Sequence, residues 1–249
     1  IYHLATSFVW YLYPFYKSHQ IHHPISVYLG TGLRRLLARI RIKKTRLMIQ
    51  QVVQGTEPYF VFPLQMGGDF QIRAYSPYDD LGDAIEEVLT SFASHAPADS
   101  RLVVKIHPLD PGLVNWKKQV ISLANHLGIM ERLVYIDGGS LDYLLKGASG
   151  VVTINSTVGM TSLLNKRPVK VLGEAVYDIV GLTFQEDLDS FWTTCQPPKE
   201  TLLKAFIRAL AATIQIRGVF YSQPGLSAAV EAAVDRLHSN TVNQPQSKQ

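Results

Sequence analysis

Acidic residues are missing from the first 56 positions of this 249-residue chain, although the whole carries 20 Asp and Glu against 24 Lys and Arg. A segment with one sign of charge cannot pair with itself, so it faces either solvent or an anionic partner. Cysteine is nearly absent as well. The single Cys195 excludes an intrachain disulfide and any cysteine-rich zinc site, and it fits a reducing compartment such as the cytoplasm. No histidine lies near it in sequence, so it reads as an ordinary core or surface thiol without a role.

Long apolar runs are also lacking. Phe8 to Tyr16 is aromatic and apolar, but Pro14 and Lys17 cut it short of the roughly 20 residues a membrane-spanning helix needs. It is not a recognisable signal peptide either. Neither a GxGxxG nor a Walker loop occurs, which argues against ordinary dinucleotide and ATP sites. Internal repeats are absent, and the only biased stretch is the polar tail 241–249. The pair His22-His23 invites a metal reading, yet no further ligand stands at a helpful spacing, and no metal is expected.

What is present is a globular balance, 47% hydrophobic and 18% charged. The chain opens at Ile1 inside an apolar stretch rather than at Met, and a segment upstream is expected. Arg34, Arg35, Arg39, Arg41, Lys43, Lys44 and Arg46 crowd one short run, interleaved with Leu33, Leu36, Leu37, Ile40, Leu47 and Met48. That pattern predicts a basic amphipathic helix, either lying on anionic lipid or packed as a solvated helix on the rest of the domain. No nucleic-acid motif accompanies the basic run, and nucleic acid is not an expected partner.

From Pro58 onward short β-type runs alternate with helical ones. Strands are predicted at Pro58–Pro63, Arg101–Ile106, Leu133–Ile136, Val151–Ile154 and Val169–Leu172. Helices are predicted at Leu81–His95, Leu113–Leu127 closed by Gly128, Leu141–Ala148, and Thr157–Asn165 with Ser156 as N-cap. Beyond Gly173 the chain reads as loop, then as helices at Pro198–Ile216 and Leu226–Leu237. The alternation implies an α/β fold with a Rossmann-like parallel sheet flanked by helices. Three parts follow: 1–56, a basic helical segment; 57–240, a Rossmann-like domain with C-terminal helices; and the tail 241–249.

Ligands of such sheets sit at the carboxyl ends of the strands, just after Pro63, Ile106, Ile136, Ile154 and Leu172. The first such segment, Leu64-Gln-Met-Gly-Gly-Asp-Phe-Gln71, pairs two glycines that permit close backbone approach with Asp69, its only carboxylate. Asp69 also fits a turn carboxylate that caps a neighbouring helix. The second holds His107-Pro108, with Lys105 two residues before; the fourth, Asn155-Ser-Thr-Val-Gly159, opens a helix. Backbone N–H groups of a helix start, with the hydroxyls of Ser156 and Thr157, suit a phosphate, although Ser156 can equally serve as a cap alone.

Taken together, Phe62-Pro-Leu-Gln-Met-Gly-Gly-Asp-Phe-Gln-Ile72, Ser76-Pro-Tyr78, Val104-Lys-Ile-His-Pro-Leu-Asp110, Asn155-Ser-Thr-Val-Gly159, Gly173-Glu-Ala-Val-Tyr177 and Gly181-Leu-Thr183 resemble the capsule polysaccharide biosynthesis family. Within it the chain is most similar to the KpsS-type Kdo transferases, from about Pro58 to Phe184. The resemblance implies the C-terminal lobe of a two-lobe, GT-B-like glycosyltransferase. Such an enzyme would be a retaining β-Kdo transferase that moves Kdo from CMP-Kdo to a lysophosphatidylglycerol-type lipid without a metal or other cofactor. It would work in the cytoplasm, peripheral on the anionic inner membrane, alongside other capsule synthesis and export proteins. By the same resemblance Asp69 matches the proposed nucleophile and His107 a donor-loop histidine. Gln65, Gln71, Arg73, Lys105, Pro108, Asn155, Ser156, Thr157 and Glu174 are implied to contact the donor. Two other readings stay open: a non-catalytic capsule export or assembly protein, and a UDP-sugar epimerase of GT-B fold.

Overall fold

Among the described residues five strands form, all parallel, in the order β3-β2-β1-β4-β5. The computed structural model describes residue 12 and residues 24–216, 218–219 and 221–241. The aromatic stretch Phe8–Tyr16, apart from Leu12, and His22-His23 lie outside them. The strands are β1 (Tyr59–Pro63), β2 (Arg101–Lys105), β3 (Leu133–Ile136), β4 (Gly150–Thr153) and β5 (Val169–Val171). The helices are α1 (Pro24–Gln54), α2 (Phe70–Tyr75), α3 (Leu81–His95), α4 (Trp116–His126), α5 (Leu141–Gly147), α6 (Thr157–Leu164) and α7 (Leu188–Thr194). The chain builds outward from β1 through β2 to β3, then crosses to β4 on the other side, so the topological switch point lies between β1 and β4.

Both sheet faces are covered, so the central strands are apolar throughout rather than alternating. One face is made by Phe60, Phe62, Leu102, Val104, Val152 and Ile154, packed on Val88 and Phe92 of α3, Val120 of α4 and Phe191 and Trp192 of α7. Its centre is aromatic: the Trp192 ring meets Phe60 edge-on at 5.1 Å and Phe92 at 5.2 Å, and its indole N–H donates to the buried Ser91 hydroxyl at 2.8 Å. On the other face the Tyr59 hydroxyl donates to the Leu144 carbonyl of α5 at 2.7 Å. Successive side chains of a strand alternate in direction, so Val103 and Lys105 share the opposite face from Leu102 and Val104.

Several bounds differ from the sequence reading, each for a local reason. Helix α4 starts at Trp116 rather than Leu113 because the Asn115 side chain accepts from the Lys118 N–H at 3.0 Å and fixes the start there. Two helices were expected as loop. Helix α2 begins at Asp69, whose Oδ1 accepts from the Gln71 N–H at 3.0 Å. Helix α7 is capped by Asp187 and buries Leu188, Phe191 and Trp192, a spacing of three and four within seven residues. Helix α1 runs much further than the basic run, and Thr45, Ile49 and Val52 bury one flank of it.

Lys199–Gln249 forms a second compact unit. In it, α8 (Glu200–Thr213) is followed by α9 (Gly225–His238). The buried Arg236 donates to the Thr213 and Gln215 carbonyls at 2.8 and 3.0 Å, satisfying acceptors that the end of α8 leaves open.

Candidate functional site

The loops leaving β1 and β4 are tied together at the switch point. Gln65 Nε2 donates to Asn155 Oδ1 at 2.9 Å, and the Asn155 backbone N–H returns a bond to Gln65 Oε1 at 3.1 Å. Asn155 Nδ2 then donates to the carbonyls of Gln71 and Tyr75, at 2.9 and 3.1 Å, at the two ends of α2. The loop after β5 joins the same hub, since the Glu174 N–H donates to the Tyr75 carbonyl at 2.7 Å. With these bonds the amides of Gln65 and Asn155 are engaged within the protein, where they shape the site.

Helix α6 opens beside this hub. The Ser156 hydroxyl accepts from the Val158 N–H at 3.2 Å, and the Ser156 carbonyl accepts from the Tyr177 hydroxyl. Tyr177 lies so close over the first turn that a Cβ on Gly159 would collide with its ring, which is why that turn carries glycine. Gly173 has the same reason: a Cβ there would strike the Tyr75 carbonyl and Ser76. Thr157 remains exposed at the helix start. Gln71, Tyr75, Glu174, Ala175 and Val176 line an open pocket of about 320 Å³ next to it.

A charged group gathers at the ends of β2 and β3. Lys105 is only 5% exposed, and burial lowers its pKa, with Asp137 opposing and Arg34 adding to that effect. No hydrogen bond or salt bridge joins its ammonium to any described residue. Burial also lowers the pKa of His107; Asp110 and Asp69 raise it, while Arg34 and Lys105 lower it. His107 Nδ1 accepts from the Leu109 N–H at 3.1 Å, which places the proton of the neutral ring on Nε2. Asp69 therefore stands within electrostatic reach of His107, while its Oδ1 caps α2 and its Oδ2 has no partner among the described residues.

Arg73 and Pro108 are exposed, and no hydrogen bond or ion pair links Arg73 to Lys105 or His107. The close approach that Gly67 permits is that of Trp116: a Cβ there would enter its ring, so the glycine serves close packing of that indole. Burial pushes the Cys195 thiol up to about 11, which keeps it protonated. Among the described residues no three His, Cys, Asp or Glu side chains gather in a metal-binding arrangement.

Arg34 is the residue whose place the sequence reading missed. Expected within a basic run either lying on anionic lipid or packed as a solvated helix, its side chain is 14% exposed and reaches from α1 over the ends of β2 and β3. It donates to both oxygens of Asp137, at 2.9 and 3.4 Å, to the His107 carbonyl at 2.8 Å, and to the Asp110 carbonyl. Asp137 itself follows Ile136, one of the strand ends that the ligand rule singles out, and that rule was the available signal for it.

The model of the capsule polysaccharide biosynthesis protein family matches residues 1–221. This chain belongs to that family. It is 36% identical over 181 residues to the capsule polysaccharide export protein KpsS of Escherichia coli, covering 73% of this chain and 46% of that protein. It is 35% identical over 214 residues to the capsule polysaccharide modification protein LipB of Neisseria meningitidis, covering 85% and 51%. The chain thus spans about half the length of these relatives. Among solved structures it aligns with the β-Kdo 2,7 transferase KpsC of Thermosulfurimonas dismutans at 24% identity and a TM-score of 0.38, covering 59% of this chain and 47% of that one. That superposition is too loose to argue from.

Proposed function

We propose that this chain forms the donor-binding portion of a metal-independent, retaining glycosyltransferase that moves Kdo from CMP-Kdo to a lysophosphatidylglycerol-type lipid. Membership of a capsule biosynthesis family supports a role in polysaccharide assembly. The observation that carries the reading is the buried, unpaired Lys105 beside His107 and Asp69 at the carboxyl edge of a parallel sheet. The Lys105 stem is buried while its ammonium reaches solvent unpaired, which leaves a partly desolvated cation open to an anionic ligand.

In this reading the nucleotide phosphate or the Kdo carboxylate meets Lys105, and the start of α6 at Thr157 offers further donors. The bond between the anomeric carbon and the CMP phosphate oxygen breaks, and CMP leaves with the electron pair. The free Oδ2 of Asp69 stabilises the resulting oxocarbenium-like centre or traps it as a covalent glycosyl ester. The acceptor hydroxyl then bonds to the anomeric carbon, any ester bond to Asp69 breaks with return of its electron pair to the carboxylate, and the hydroxyl proton passes to a base. Gln65, Asn155 and the Gln71 backbone hold these loops in register, and Glu174 faces the pocket beside Gln71.

The lipid acceptor would be met at the membrane. Helix α1 exposes Leu29, Leu33, Leu36, Ile40 and Leu47 along with Arg39, Arg41, Lys43, Lys44 and Arg46, a combination that favours an anionic lipid surface. No helix of the described residues is long and apolar enough to cross a membrane. The test is turnover by the full-length protein, of which this chain is the donor-binding portion: CMP-Kdo generated in situ, a fluorescent lysophosphatidylglycerol, and mass analysis of the product. A product heavier by one Kdo supports the reading. Unchanged acceptor with a folded protein removes the catalytic assignment and favours an export or assembly role.

A further inference from the structure

Lys105 and Arg34 are two cations placed beside one carboxylate, and only one of them holds it. The Arg34 guanidinium occupies both oxygens of Asp137, whereas Lys105, on the adjoining strand, makes no salt bridge. No buried side-chain nitrogen or oxygen is left wholly without a partner among the described residues, so the unpaired Lys105 ammonium is where that side chain reaches solvent. Arg34 is fixed in place by further bonds to the His107 and Asp110 carbonyls, which a lysine could not span at once.

We propose that Arg34 is a positioning residue: by holding Asp137 it keeps the Lys105 ammonium unpaired and open to an anionic group of a nucleotide-sugar donor. This rests on Lys105 as a donor-binding residue, as argued above. Without Arg34 the Asp137 carboxylate is released next to a buried cation. The two would pair, and a ligand anion would have to displace an internal partner. The groups that bear on Lys105 are Asp137 from the loop after β3 and Arg34 from α1, and Lys105 in turn acts on His107 in its own loop.

A pure brace and a partner-withholding residue respond differently to loss of Asp137. CMP is the probe, with binding measured by calorimetry on wild type, Lys105→Met, Arg34→Gln, Asp137→Asn and Arg34→Gln/Asp137→Asn, each checked for fold by circular dichroism. Lys105→Met and Arg34→Gln should each weaken CMP at least about tenfold. Asp137→Asn should bind at least as well as wild type, and the double variant should recover to within about threefold of it. A double variant as weak as Arg34→Gln, or an Arg34→Gln protein that binds CMP normally, overturns the proposal. Should Arg34→Gln not fold, Arg34→Lys takes its place with the same recovery expected from Asp137→Asn. A ¹³C-labelled lysine titration reads the arrangement without any ligand: the Lys105 midpoint should move up in Arg34→Gln and down in Asp137→Asn. If wild type fails to bind CMP, the donor assignment falls, and this titration alone decides on Arg34, with an unmoved midpoint counting against it.

Discussion

Gln65 and Asn155, 90 residues apart, exchange two hydrogen bonds across the ends of β1 and β4, and Asn155 extends the link to both ends of α2. The pair closes the switch point at the place where a ligand of this sheet would sit. Gln65 is 5% exposed, so loss of the Asn155 side chain strands the Gln65 Nε2 donor, while the Tyr75 carbonyl keeps the Glu174 N–H. Asn155→Ala should therefore lower stability by about 2 kcal/mol, the usual penalty for stranded buried polar groups. Chemical denaturation of Asn155→Ala, Gln65→Ala and the double variant should show the double costing clearly less than the two singles added.

Asp69 caps α2, and in the proposed reaction it is also the carboxylate at the anomeric centre; one substitution separates the two. Asparagine caps helices about as well as aspartate, so Asp69→Asn should keep α2 and the loop, with an unchanged melting temperature. It removes the charge that would stabilise an oxocarbenium-like centre. Transfer should fall at least about a thousandfold, near 4 kcal/mol, while CMP-Kdo binding survives. A tenth of the activity remaining would leave Asp69 as a cap only.

The pH dependence of stability should carry the signature of His107. Burial, with Arg34 and Lys105 nearby, lowers its pKa below the unfolded value of about 6.5. The folded protein therefore binds fewer protons than the unfolded one just below that value. The contribution is fully present above about pH 6.5 and is lost as pH falls through the folded pKa. Thermal melts taken downward from pH 7 should show this loss, and His107→Gln should flatten it. An identical pH profile in that variant would assign the effect to other groups.

Charge on α1 should govern membrane attachment. Arg39, Arg41, Lys43, Lys44 and Arg46 are exposed, with no acidic residue on the helix. Each contributes on the order of 1 kcal/mol near an anionic surface. Reversing several of them to glutamate, with Arg34 left in place, should weaken flotation with phosphatidylglycerol vesicles and reduce its sensitivity to salt. Undiminished flotation would mark the helix as solvated or covered by protein.

Local signals in the sequence determined the strands, most helix starts and the sheet type. Apolar runs such as Phe60-Val-Phe62 and Leu102-Val-Val104 have no polar side to place in water, so they specify strands buried on both faces, and alternation with helices specifies parallel pairing. Caps such as Ser156 act within two or three residues, which is why Thr157 was legible as a helix start. The family was legible too, from separated segments between Phe62 and Thr183 taken together. Only the tertiary structure decided what those residues do. Arg34 looks like its basic neighbours until the fold brings Asp137, 103 positions away, against it. Gln65 and Asn155 carry polar groups whose partners are unknowable until β1 and β4 become neighbours. Gly67 appears free until Trp116 fills the space beside it. Propensities and caps are short-range and leave their mark in adjacent residues, whereas burial and charge pairing depend on distances through space that chain closure alone creates.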